Sequence, residues 1–194
     1  DYAVQLPGVA QAGDGRATGS LTAASWSLRG PVIVKGHLQQ MDLAAVLKPY
    51  VTRGMVQGDF MHRWDSAQGV NAVLNGEGTV KVEIKDLVVE RITAGTSLIP
   101  SLTFGRIQAA LACRDAACDV TELKGDGVDG SFTAQGRVAL RQPLQQSLLD
   151  LTVTVVPGAG FAQKTAGLSL PPFQPGTPLT FKLVGPITNA RVAL

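Results

Sequence analysis

Period-two alternation of apolar and polar residues, abundant turn-forming residues and a low charge density together predict an all-β, mainly antiparallel fold. The expected form is a curved elongated sheet or a flattened sandwich with one or two short helices. Alternation is clearest over 79–85, where Val80, Val82 and Ile84 interleave with Lys81, Glu83 and Lys85, the pattern of a strand with one dry and one wet face. The 194 residues include 22 glycines and 11 prolines, more than the ~12 % these two types usually supply together. Charged residues make up only 16%, and mean hydropathy is positive, so the chain carries enough apolar surface to fold.

Taken in order, the first strands are expected over 19–28 and 32–39. A helix of little more than two turns follows near residues 42–51. There Leu43, Val46, Leu47 and Tyr50 fall at helical spacing, Asp42 can cap the start, and Pro49 curtails the end. Further strands are expected over 55–64, 79–85, 102–113, 119–124, 131–141 and 149–155. In the last of these Leu149, Leu151, Val153 and Val155 alternate with Asp150, Thr152 and Thr154. Asn75-Gly76, Asp126-Gly127 and Asp129-Gly130 are read as tight turns, because each can supply the positive-φ positions that hairpins need. A looser helix is placed over 160–168, before Pro171-Pro172. The stiff run 171–178 leads into a final hairpin over 179–194, too short to be a domain. The whole, about nine to eleven strands, reads as a single elongated β domain spanning 1–194.

The function classes narrow next. Lys plus Arg total 17 against 15 Asp plus Glu, too balanced for a phosphate-binding surface, so nucleic acid is not an expected partner. No stretch approaches the ~18 apolar residues of a membrane-spanning helix, and the 194 residues hold no basic stretch followed by an apolar run of the kind a secretory leader has. Neither G-x-S-x-G nor a phosphate-cradling glycine loop occurs. With only His37 and His62, a zinc site or a Ser-His-Asp arrangement lacks members. His62-Arg63-Trp64-Asp65 reads as strand, since His62 and Trp64 share one face and Asp65 points to the other. The string 125–130, with Asp126 and Asp129, has the crowded oxygens of a calcium loop but not its closing Glu, and two turns account for it. Trp26, Trp64 and the few other aromatics are too sparse for a stacking platform. No catalytic residue, metal ligand or cofactor is therefore assigned, and the chain is expected not to be an enzyme.

Cys113 and Cys118, with four residues between them, fit a hairpin in which they face each other at the mouth of the turn, at a separation that suits a disulfide. Two buried thiols and a redox pair are the alternatives. A disulfide would place the chain in an oxidising compartment, the periplasm or the exterior.

The run 102–111, with its order apolar–x–apolar–Gly–x–apolar–x–Ala–x–Leu, leads through 120–127 into 130–140. This run resembles the periplasmic β repeats of AsmA-like proteins, and more closely the type II secretion system protein N family (general secretion pathway protein N). The Ser147–Leu151 stretch, the closing 183–192 segment and the helix-to-strand unit of 41–47 and 56–60 are similar to the same family, so the resemblance covers about 31–194. Ala190 stands where the family usually has Pro. The resemblance implies a non-enzymatic accessory or structural component of the type II secretion machinery. It would be the periplasmic domain of an inner-membrane-anchored protein of a Gram-negative bacterium, with its N-terminal membrane helix removed. Implied partners are other secretion components, the inner-membrane platform or the secretin. The AsmA-like pattern implies the alternative, a periplasmic module that binds or transfers phospholipid or another hydrophobic ligand.

Overall fold

The computed structural model describes residues 4–12, 15–23, 30–69, 71–90, 92–94, 97–143, 146–166 and 174–193. Trp26, the far end of the strand expected over 19–28, residues 167–168 of the second helix and Pro171–Phe173 of the proline run lie outside them. The described strands are β1 (Val4–Ala12), β2 (Gly15–Ala23), β3 (Pro31–Asp42), β4 (Val51–Asp65), β5 (Glu77–Val89), β6 (Ile92–Ala94), β7 (Ser97–Ile99) and β8 (Leu102–Arg114). They continue with β9 (Ala117–Gly127), β10 (Gly130–Ala139), β11 (Leu148–Pro157), β12 (Leu179–Pro186) and β13 (Arg191–Ala193). Eleven of them form one open antiparallel sheet whose order follows the chain, interrupted only by the separate β6–β7 hairpin. The all-β, antiparallel expectation is met, and met as a single meander. Among the described residues no second large sheet packs on it, so the sandwich alternative is not formed.

Register sorts every strand into two faces, because partners across an antiparallel ladder point the same way. On β5, Val80, Val82 and Ile84 share a face with Phe60, Gly58 and Val56 of β4 and with Leu111, Ala109 and Ile107 of β8. Followed outward, the same face carries Val32, Val34 and Leu38 of β3, Leu21 and Ala23 of β2, Leu123 and Val120 of β9, and Phe132, Ala134 and Val138 of β10. It ends on Leu149 to Val155 in alternation on β11 and on Phe181 and Leu183 of β12. At these paired positions from β2 to β12 the face holds no Asp, Glu, Lys or Arg, and His62 is its one titratable side chain. The opposite face carries Lys35, His37, Asp59, Lys81, Glu83, Arg106, Lys124, Arg137, Asp150 and Lys182.

With no layer above it among the described residues, the apolar face is only half-buried at Val80, Val82, Ile84, Phe132, Val153, Val155, Phe181 and Leu183. Full burial is confined to small patches such as the cluster of Val51, Leu87 and Ile107, against which Leu43, Ile84, Phe104 and Phe132 pack. Leu87 joins Ile84 in that cluster although it lies three residues away, because Asp86 takes φ 53 and slips the alternation. The solvent-accessible surface is 12028 Å², against about 8,800 Å² for a compact monomer of this mass. Aromatic rings lie along the sheet rather than rising from it. Phe60 covers its register partner Gly36, where an added Cβ would stand 2.3 Å from the ring, and Phe132 covers Gly125 at 2.4 Å in the same way.

Several local expectations are corrected. The helix near 42–51 is a single turn, α1 (Ala44–Leu47), although the Asp42 carboxylate does accept from the Ala44 N–H at 2.8 Å. Lys48 is extended, as the residue before Pro49 should be, and the chain enters β4 at once. Asn75-Gly76 is not a hairpin turn: Asn75 ends a short helix, α2 (Ala72–Asn75), and Gly76 has negative φ. Asp126-Gly127 closes β9, and Gly130 is the positive-φ residue of the Val128–Asp129 turn. The looser helix is α3 (Ala159–Thr165). Ser147, 1% exposed, accepts from the Arg141 N–H through its hydroxyl and from the Ile187 N–H through its carbonyl, and so closes the β10–β11 loop.

β9 holds an extra residue near Thr121, which shifts register against both of its neighbours. Gly136 sits across from that bulge at φ 142, where a Cβ would fall 2.1 Å from the Asp150 carbonyl oxygen. Gly136→Ala is expected to destabilise the fold by about 1–3 kcal/mol, seen as a lower urea midpoint with unchanged slope.

Candidate functional site

The apolar face runs across the sheet from β2 to β12, and a cavity lies at one end of it. Where β8 begins, β10 begins and β11 ends, Leu102, Phe104, Phe132, Val153, Val155 and Phe161 of α3 line a cavity of about 130 Å³. Phe104 and Phe132 meet edge to face at 5.1 Å between ring centres. Asp129, in the β9–β10 turn, borders the cavity and is only 5% exposed. Its Oδ2 accepts from the Thr103 N–H and from Lys164 Nζ, both at 2.6 Å, and Lys164 Nζ also donates to the Ser101 carbonyl at 2.7 Å. One carboxylate thus ties the start of β8, the β9–β10 turn and α3 together. Oδ1 of Asp129 is buried without a partner and faces Gly160, where a Cβ would stand 2.7 Å away.

The charged face is organised around Glu83. Its Oε2 accepts from Arg106 Nε at 2.6 Å, and its Oε1 from Gln57 Nε2 at 3.2 Å, with Lys85 Nζ at 3.4 Å. The Arg106 hydrogen bond, against a smaller opposing desolvation, holds the Glu83 carboxyl below its ordinary value; Lys124 does the same for Glu122. His37 and Asp59 pair at 2.8 Å on the same face, both well exposed. Arg106–Glu83, Gln57–Glu83 and His37–Asp59 are cross-strand pairs of the kind that fix register, whereas Lys85–Glu83 and Lys124–Glu122 lie within one strand.

Cys113 and Cys118 are register partners and are joined in a disulfide. The turn they close, Asp115-Ala116, has both residues at positive φ, the mirror-image turn that matches strand twist. The Ala116 N–H donates to the Leu74 carbonyl and its own carbonyl accepts from the Leu140 N–H, so α2 and the β10–β11 loop clip onto this hairpin. His62 does not join a charged cluster. It stacks on Trp64 at 5.5 Å and bonds the Val73 carbonyl through Nε2, while Asp65 accepts from the Ala67 N–H. The calcium-like string is likewise dispersed: Asp126 is exposed in β9, and Asp129 is committed to Lys164. The sequence places Asp129 in a tight turn and does not single out Lys164; the two are 35 residues apart and share no local motif. No protein-family model matches the chain, and no curated protein or solved structure matches it at a significant level.

Two predictions follow from this geometry. Because the Glu83 carboxyl is held low, its contribution to stability is present above its ordinary value of 4.5 and is lost as pH falls through the depressed folded value. Glu83→Gln should therefore reduce the acid-induced drop in denaturation midpoint relative to the unmodified chain, and an equal drop in both proteins contradicts it. In the disulfide hairpin, relief of the left-handed Ala116 should let Ala116→Gly stabilise by up to about 1 kcal/mol, whereas replacing both cysteines with Ser should cost roughly 2 kcal/mol. Melting temperatures of the two variants under oxidising conditions check both signs.

Proposed function

We propose that this chain is the periplasmic part of an inner-membrane-anchored, non-enzymatic accessory component of the type II secretion machinery, working by contact rather than chemistry. The observation that supports a contact role is the sheet itself: a face without Asp, Glu, Lys or Arg at its paired positions, on which no second layer packs among the described residues. Its two outermost strands, β1 and β13, are each hydrogen-bonded on one side only, and such edges accept partner strands. The Cys113–Cys118 disulfide supports an oxidising compartment. The assignment to secretion rests on the resemblance over 31–194. In-cell cross-linking from photoreactive residues placed along the edge strands β1 and β13 is the test. Capture of an inner-membrane platform protein or of the secretin is expected, and capture of neither overturns the reading.

A second reading is favoured by the composition of the apolar face. From β2 to β12 its paired positions carry aliphatic, aromatic and glycine residues with no formal charge, a surface suited to acyl chains, as in the AsmA-like alternative. Native mass spectrometry of gently purified protein decides it: co-purified phospholipid is expected, and its complete absence counts against lipid binding.

A further inference from the structure

The cavity beneath α3 has more definition than the open face it adjoins. Phe132, Val153 and Val155 belong to that face by register, so the cavity is continuous with it. Leu102 and Phe104 at the start of β8, register partners of Val89 and Leu87 beyond the slip at Asp86, form a further wall, and Phe161 on α3 comes from outside the sheet. At about 130 Å³ it is close in size to an engineered apolar cavity of ~150 Å³ that stays dry and takes benzene. It therefore suits a few methylenes and a terminal methyl, and is too small for a headgroup. Of the polar residues at its border, Asp129 is paired with Lys164 and bonded to the Thr103 N–H through Oδ2 while its Oδ1 has no hydrogen bond, and Ser131 is the other.

α3 is held lightly for an element that closes a cavity. None of its residues is fully buried and no side chain caps its start. Its attachment runs through Phe161 in the cavity wall, Lys164 on Asp129 and the Ser101 carbonyl, and the Gly160 N–H on the Val128 carbonyl. We propose that this cavity is the terminal subsite for a hydrocarbon chain lying along the apolar face, with α3 as its end wall and the Lys164–Asp129 ion pair as the latch that holds the wall in place. The proposal rests on the acyl-chain reading above and adds a direction to it: the methyl end lies beside α3 and the headgroup end toward the middle of the sheet.

Two stearate probes test it, one with a nitroxide at the methyl end and one with a nitroxide beside the carboxylate, each added to isotopically labelled protein. The methyl-end probe is expected to erase the methyl signals of Val153 and Val155, and the carboxylate-end probe to spare them while erasing those of Val80 or Ile84. Val155→Phe, which fills the cavity, is expected to restore the Val153 signal with the methyl-end probe and leave the Ile84 effect in place. If that variant fails to fold, Phe161→Ala serves instead: it removes one wall from a surface helix, and both probes should then act alike at Val153. Signals lost along Val80 to Ile84 but never at Val153 or Val155, with either probe, overturn the subsite while leaving acyl-chain binding intact. No loss at any methyl overturns both.

Discussion

The constraint behind the rest of this structure is that, among the described residues, a sheet with one apolar face has no second layer to bury it against. A sandwich gains its core from two inner faces meeting about 10 Å apart. Here the same apolar residues can touch only their neighbours within the sheet, which is why they remain half-buried and why full burial is scattered in small patches. The consequences are visible in the choice of residues. Phe60 and Phe132 lie over glycines on the adjacent strands, so each ring buries one of its faces against backbone and not against a facing layer. Strands of ten to fifteen residues exceed the usual five or six, and long ladders supply hydrogen bonds and lateral contacts in the place of depth.

The polar face completes that logic. Cross-strand pairs such as Lys182–Asp150 and Arg137–Asp119 are exposed and individually weak. Their value lies in register: a slip of one residue would carry every charge onto the apolar face, and the charge-free face is what gives this sheet a surface to offer. Glu83 ties β4, β5 and β8 at the middle of the sheet through Gln57, Lys85 and Arg106, where a slip would propagate furthest.

What could be read from the amino acids was what is local. Alternation along 79–85 and 149–155 identified β5 and β11, and the Cys113 to Cys118 spacing identified the hairpin and its bond, because each depends on residues a few positions apart. The failures are also physical. Asn75-Gly76 has turn chemistry that either a hairpin or a helix end can use, and tertiary anchoring of α2 through the His62–Val73 bond selected the second. The helical spacing of Leu43, Val46 and Leu47 was real, but Pro49 ended it after one turn. Single sheet against sandwich could not be decided, since both need the same alternation. Asp129 was hidden because its Asp-Gly context suggested a solvated turn, and its partner lies on a distant helix.

That misreading of Asp129 also explains why the end of the sheet differs from its middle. A carboxylate buried to 5% exposure carries a desolvation penalty that a single partner only partly offsets, and one of its oxygens has no hydrogen bond at all. Aliphatic packing would hold α3 at least as firmly, so stability alone does not account for an ion pair at this position. An ion pair does fix where α3 sits, because Lys164 must satisfy both Asp129 and the Ser101 carbonyl at once. For a wall closing a cavity at the end of an apolar surface, that defined position is the physical property the arrangement supplies.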